Sequence, residues 1–194
     1  MTYLIAGIVI FFGVHLFSAF RSREPGKDLR QKLGYVPFMG LYSLVAIFGF
    51  VLIVWGFGES RPATIIWQLP TGLQHLNMLF QLIALPVLMA AYMPTGHIKK
   101  TLKHPMLVAV KVWALGHLLA NGELNSIILF GSFLAYGVID RIAVKKRGDN
   151  GPPAHVKPNI MGDVLSVVVG LGAYGAIAFW LHPILFGVAA TPMG

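Results

Sequence analysis

The residues with chemistry to offer sit inside stretches that are otherwise apolar. The densest such stretch runs from His104-Pro105 to Asn121-Gly122 and carries Lys111, Trp113 and His117. His15 lies in the first apolar stretch, and Gln74, His75, Asn77 and Gln81 open the third. Asp140 and Asp163 fall near the ends of the fifth and sixth. An ionisable group in hydrocarbon costs at least a few kcal/mol unless it is paired, so each needs a partner or a function. Imidazole offers two distinct roles here, metal ligand and hydrogen-bond partner.

The elements that position these groups follow from composition. The chain has 194 residues, 56% hydrophobic and 11% charged, with a mean hydropathy of +0.73. Those values exclude an ordinary soluble domain and a disordered one, and they predict a single integral membrane domain over residues 1–194. A window of about 20 residues finds six apolar spans, near residues 3–20, 37–57, 72–93, 105–120, 125–142 and 162–181. The expected fold is an all-α, polytopic bundle of six transmembrane helices embedded in a lipid bilayer.

Orientation comes from lysine and arginine. The first loop holds Arg21, Arg23, Lys27, Arg30 and Lys32; the third holds Lys99, Lys100 and Lys103; the fifth holds Arg141, Lys145, Lys146, Arg147 and Lys157. Arg61 and Lys111 are the remainder of the 15 basic residues. Loops one, three and five are therefore expected on the cytoplasmic side, with both termini outside. This topological role accounts for most of the net charge of +8, which in a soluble protein would have suggested nucleic acid. Positive charge follows the first apolar run instead of preceding it, so that run is expected to be a retained helix and not a cleaved signal.

Depth singles out one pair of histidines. His15 lies 12 residues beyond Tyr3, about 18 Å below the outer edge at 1.5 Å per residue. His117 lies 12 residues beyond Pro105, about 18 Å above the inner edge by the same rise. In a core about 30 Å thick, the two Cα atoms differ in depth by only about 6 Å. Helical side chains lean toward their own N-terminus, which closes that gap on antiparallel helices. Two imidazoles at mid-depth could hold a haem iron from both sides, or each could bond a carbonyl or hydroxyl of a neighbouring helix. With no cysteine in the chain, any haem is held without thioether bonds.

The other polar groups have simpler readings beside functional ones. Lys111 can snorkel to the cytoplasmic interface, pair with Asp140 or Asp163, or meet a haem propionate. Gln74, Asn77 and Gln81 share one helix face, either as packing glue or as a cavity wall. His104 and His182 each precede a proline, a common helix start, and read as structural. His97 and His155 read as solvent-facing, and residues 148–158 as a solvated connector. Small residues including Ser166, Gly170, Gly172 and Gly175 suit close helix approach, within the bundle or across a dimer.

Several of these residues also carry a resemblance. Val14-His15-Leu16-Phe17-Ser18, the basic loop through Arg30 and Leu33, Trp67-Gln68-Leu69, and His104-Pro105-Met106 with Trp113, His117 and Asn121-Gly122 resemble the NnrU family. That bacterial membrane family is associated with denitrification genes and with nitrite and nitric-oxide metabolism, and it is similar to the zeta-carotene isomerase of plants and cyanobacteria, a haem b protein. The resemblance implies an inner-membrane protein with non-covalent haem b, with His15 and His117 as its axial ligands. It extends to about Arg147. Where the plant isomerase has a cysteine, this chain has Ala114, so an exchange of iron ligands through a thiolate is not expected.

Three functional classes follow. One is a haem b redox or nitric-oxide-linked protein, with an electron partner outside the chain or an isomerase-like action on a lipophilic polyene. Its cofactor site would comprise His15, His117, Lys111, Trp113 and Asn121, and hydrogen bonds to the free nitrogens of the ligand rings would come from Ser18, Trp113 or Asn121. The second is a cofactor-free accessory or regulatory membrane protein. The third is a small transporter, which inverted repeats and broken helices would support; neither is visible. A methyltransferase-like enzyme lacks the glycine-rich nucleotide loop it would need.

Overall fold

The computed structural model describes residues 1–68, 70 and 72–190; Leu69 of the Trp67-Gln68-Leu69 segment lies outside the described residues. It is helical, and the chain divides into two compact units, Met1–Thr64 and Ile65–Gly194.

Unit 1 holds α1 (Thr2–Phe20), the short α2 (Leu29–Leu33) and α3 (Tyr35–Glu59). α1 and α3 run antiparallel: Gly56 meets Leu4, Gly7 meets Ile53 and Gly49 meets Phe11. Leu4, Ile53 and Phe38 form the buried seam, and Tyr3 stacks on Trp55 with ring centroids 5.3 Å apart. Asp28 starts α2 by accepting a hydrogen bond from the Arg30 N–H. Gly34 then turns the chain into α3 with φ of 84°, a conformation open chiefly to glycine.

Unit 2 holds α4 (Gly72–Tyr92), α5 (His97–Leu102), α6 (Pro105–Ala120), α7 (Leu124–Lys146), α8 (Ile160–Ala176), a π-helical turn (Ile177–Leu181) and α9 (His182–Phe186). α4 packs on α6 and α8, and α6 on α7. Pro105 begins α6 at a first-turn position, where its missing N–H costs nothing. Pro86, inside α4, removes one helical hydrogen bond. α8 docks at this point, with the Gly170 backbone against that of Pro86. Ser166, one turn earlier, is buried and returns its hydroxyl to the Gly162 carbonyl at 2.6 Å. Gly170 thus serves packing within the unit, while Gly172 and Gly175 have open space where a Cβ would stand.

The ends of unit 2 are tied. At one end α5 and the 147–159 segment meet: Lys100 Nζ donates to the carbonyls of Pro153, Ala154 and Val156 at 2.7, 3.1 and 2.8 Å. Asp163 receives the backbone N–H groups of His97 and Ile98. The third and fifth basic loops therefore share one end, as alternating topology requires. At the other end Ile65 pairs with Glu123 in an isolated bridge. The connector is thus fastened along its length, and His97, although exposed, is held by Asp163.

Among the described residues five helices are long and apolar enough to cross a membrane, and α6 is a shorter apolar helix. Its 16 residues span about 24 Å at 1.5 Å each. Outward faces carry large apolar side chains such as Val9, Leu44 and Val168, each more than 60% exposed. In water such faces would aggregate; in lipid they are solvated. The chain is a multi-pass helical membrane protein.

Candidate functional site

His15 stands on α1, in unit 1. Its Nδ1 lies 2.6 Å from the Phe11 carbonyl one turn back. A carbonyl only accepts, so Nδ1 carries the proton and the lone pair resides on Nε2. The ring packs on Phe11 with centroids 4.2 Å apart and lies 5.4 Å from the Tyr42 ring of α3. The tautomer and the orientation are thus both set by the local helix pair.

His117 stands on α6, in unit 2. Its ring lies flat on Phe130 of α7, with centroids 4.4 Å apart and planes 7° from parallel. Trp113, one turn earlier, meets it edge-on at 5.4 Å and is itself wedged against Phe130 and Phe133. Aromatic faces hold this imidazole; among the described residues no hydrogen bond engages its ring nitrogens. Asn121 bonds His117 by the backbone instead, through Nδ2 to the carbonyl at 2.8 Å and through its own N–H at 3.0 Å. The expected roles of Trp113 and Asn121 as hydrogen-bond partners of the ring are replaced by packing and by a helix cap.

His182 is the residue that sequence reasoning set aside. It follows the π turn, lies within electrostatic reach of His117, and presents Nδ1 to the Val188 carbonyl at 2.8 Å. Its ring therefore has the same tautomer as that of His15. A helix-start histidine before proline gave no hint of this, because its neighbour is 65 positions away in sequence.

Lys111 lays its stem along α7, where a Cβ at Gly137 would stand 2.8 Å from its Cγ. Neither expected carboxylate pairs with it among the described residues: Asp163 is engaged by His97 at 2.8 Å, and Asp140 accepts from the Tyr136 hydroxyl at 3.2 Å. The amide stripe of α4 divides. Gln81 Nε2 donates to Asn77 Oδ1 at 2.6 Å and to the Trp113 carbonyl at 3.2 Å, while Gln74 and His75 are exposed. Gly116 packs directly beneath this pair, so the two amides fasten α4 to α6. His104 caps the start of α6 and reaches the Asp149 carbonyl at 3.1 Å, as a structural histidine would. His155 is exposed.

These residues can perform ligation. Two imidazoles, His15 and His182, have one nitrogen committed to a carbonyl, the arrangement that orients a metal-bound histidine and raises its basicity. The third, His117, is stacked on Phe130 and met edge-on by Trp113; packing alone orients it. The described residues contain no cluster of three or more His, Cys, Asp or Glu able to hold a bare metal ion, whereas a haem iron needs only one or two protein ligands.

The family model described as NnrU protein matches residues 3–190, through both units. No curated protein and no solved structure matches the chain.

Proposed function

Because the chain belongs to the NnrU family, we propose that it is a haem b membrane protein in which His15 and His117 would hold the iron. The observation that carries this reading is the His15 ring, whose Nδ1 proton is tied to the Phe11 carbonyl so that Nε2 is the basic nitrogen. His117, held by Phe130 and Trp113, is pre-oriented without spending its ring nitrogens. Bound haem would supply one-electron chemistry suited to electron transfer. Apolar neighbours such as Phe130 beside His117 would limit water there. Lys111, with no carboxylate partner among the described residues, is the cation available to a propionate.

We place this chemistry in nitrite and nitric-oxide metabolism at the bacterial inner membrane. A redox-gated, isomerase-like action on a lipophilic polyene is the more specific version of the same reading. Here it would depend on release of a histidine, since Ala114 offers no thiolate and is fully buried. His182 gives a second reading of the ligand pair, since it belongs to the same unit as His117 and lies within electrostatic reach of it. A transport path along the α4 stripe is disfavoured, because Asn77 and Gln81 are spent on packing.

The test is absorbance of the full chain purified in detergent after haem-supplemented expression, oxidised and then reduced with dithionite. Sharp reduced bands of low-spin haem b are expected, lost in His15→Ala and His117→Ala and kept in His182→Ala. Loss in His182→Ala with retention in His15→Ala would move the ligand pair into unit 2. A colourless preparation would overturn the haem reading and leave a cofactor-free accessory protein.

A further inference from the structure

Where α1 gives way to α3 in unit 1, a hollow of about 570 Å³ opens between Arg21, Arg23, Asp28, Arg30, Gly34 and Tyr35. Three arginines face one carboxylate there. The Arg21 side chain is only 7% exposed and pairs with Asp28 through Nη1. Its Nε is the one buried side-chain nitrogen or oxygen without a hydrogen-bond partner among the described residues. Leaving such a donor unmet carries the full desolvation cost of the group, and a guanidinium is built to meet an oxyanion through adjacent N–H groups.

The surroundings point the same way. Arg30 lies over the Tyr35 ring at 4.4 Å, which fixes its plane at the mouth of the hollow. α3 begins at Gly34 without a side-chain cap, so the positive end of a 25-residue helix borders the space and favours anions. The Arg21 guanidinium holds the Asp28 carboxyl below its ordinary range, so Asp28 stays charged and keeps Arg21 in place. Beside the cations the lining includes the exposed ring of Tyr35, and the exposed apolar Leu29, Leu33 and Val36 each adjoin a lining residue in sequence. A free anion has no use for such neighbours; a phosphate joined to acyl chains does.

We propose that this hollow binds the phosphate group of an anionic phospholipid of the cytoplasmic leaflet, gripped by Arg21, Arg23 and Arg30. The basic loop then does more than orient the chain. It fixes a lipid against the turn between α1 and α3, at the depth where anionic headgroups lie. The site stands apart from the haem reading and does not depend on it.

The test titrates the full chain in neutral detergent with phosphatidylglycerol or phosphatidylcholine of matched chains, followed by native mass spectrometry. Phosphatidylglycerol is expected to bind saturably, with phosphatidylcholine about tenfold weaker or more. The Arg23→Gln/Arg30→Gln double variant should weaken phosphatidylglycerol binding about tenfold or more. Lys27→Gln is the control for general charge, since Lys27 is exposed and pairs with Glu24 at 2.8 Å; it should leave binding unchanged. Arg21→Gln also removes the partner of Asp28, so the double variant carries the decision if that protein fails to fold. Displacement by millimolar inorganic phosphate would overturn the lipid source and assign the hollow to free phosphate. Equal binding of both lipids, or equal losses in Lys27→Gln and the double variant, would overturn the site.

Discussion

Replacing Gly170 by alanine places one methyl group where two helices already touch. An ideal Cβ there would stand 2.3 Å from Pro86 Cα, 2.5 Å from Pro86 N and 2.9 Å from Leu85 C. All three are backbone atoms, so no side chain can swing aside. The closest distance falls short of ordinary 3.4 Å contact by more than an ångström, and α8 must withdraw from α4. Overpacking of this kind costs about 1–3 kcal/mol, and a radial gap of about 0.5–1 Å forfeits a quarter to a half of each neighbouring contact. Alanine recovers about 1 kcal/mol of helix propensity over glycine, leaving a net loss of up to about 2 kcal/mol. Gly172, two residues on, has nothing within 4 Å of the point where a Cβ would stand, so Gly172→Ala should keep only the propensity gain. Thermal unfolding of the full chain in detergent, followed by tryptophan fluorescence, should therefore move in opposite directions for the two alanines. For a chain of this size each kcal/mol is worth about 2–4 °C. Equal midpoints, or a higher one for Gly170→Ala, would refute the close crossing at Pro86.

Two other outcomes follow from the same kind of reasoning. Gln81→Leu removes the donor to Asn77 Oδ1 and the Trp113 carbonyl; interhelical bonds of this type average about 0.6 kcal/mol and reach about 1.7 in lipid. A lowered unfolding midpoint is expected, and an unchanged one would mean that the amide does not join α4 to α6. Asp28 supplies a pH dependence: hydrogen bonding to Arg21 lowers its pKa from the ordinary 3.8. Its contribution to the first loop is therefore complete above that value and fades as pH falls through the lower, folded value. A spin label on Lys27→Cys should show constant mobility from about pH 8 down to the ordinary 3.8 and a looser loop only below it; Asp28→Asn should be loose throughout. A loop that tightens on acidification would contradict the Arg21–Asp28 pair.

Much of the architecture was legible because hydrocarbon imposes a single rule, an unbroken apolar helix, on every crossing. The expected span 105–120 coincides with α6, whose start is marked by His104-Pro105 and whose end by Asn121-Gly122. α2 and α5, of five and six residues, fell below any window tuned to a bilayer, although Asp28 is an ordinary helix-start signal. The π turn was invisible for another reason: apolar residues all round a lipid-facing helix leave no stripe whose drift would expose a change of period. Long-range partners were harder still. Nothing near Lys100 announces carbonyls more than fifty residues away, and nothing near His97 announces Asp163. Asn121-Gly122 marks the helix end in sequence, as an asparagine-glycine pair after a helix does, but does not show that the Asn121 amide returns to the His117 carbonyl. For His15 and His117, sequence supplied the depth within each helix, and the structure adds each ring's immediate surroundings.

The wide turn at Ile177–Leu181 has a consequence for tolerance of length change. A π turn is an α-helix that has accommodated a surplus residue. Deleting one residue in this stretch would let the backbone relax to the common pitch while the segments on either side keep their facing. The same deletion in the middle of α4 would swing every later side chain by about 100° around the axis and take Pro86 out of its seat against Gly170. The distal third of the last crossing is thus the place where this bundle can be shortened and still close.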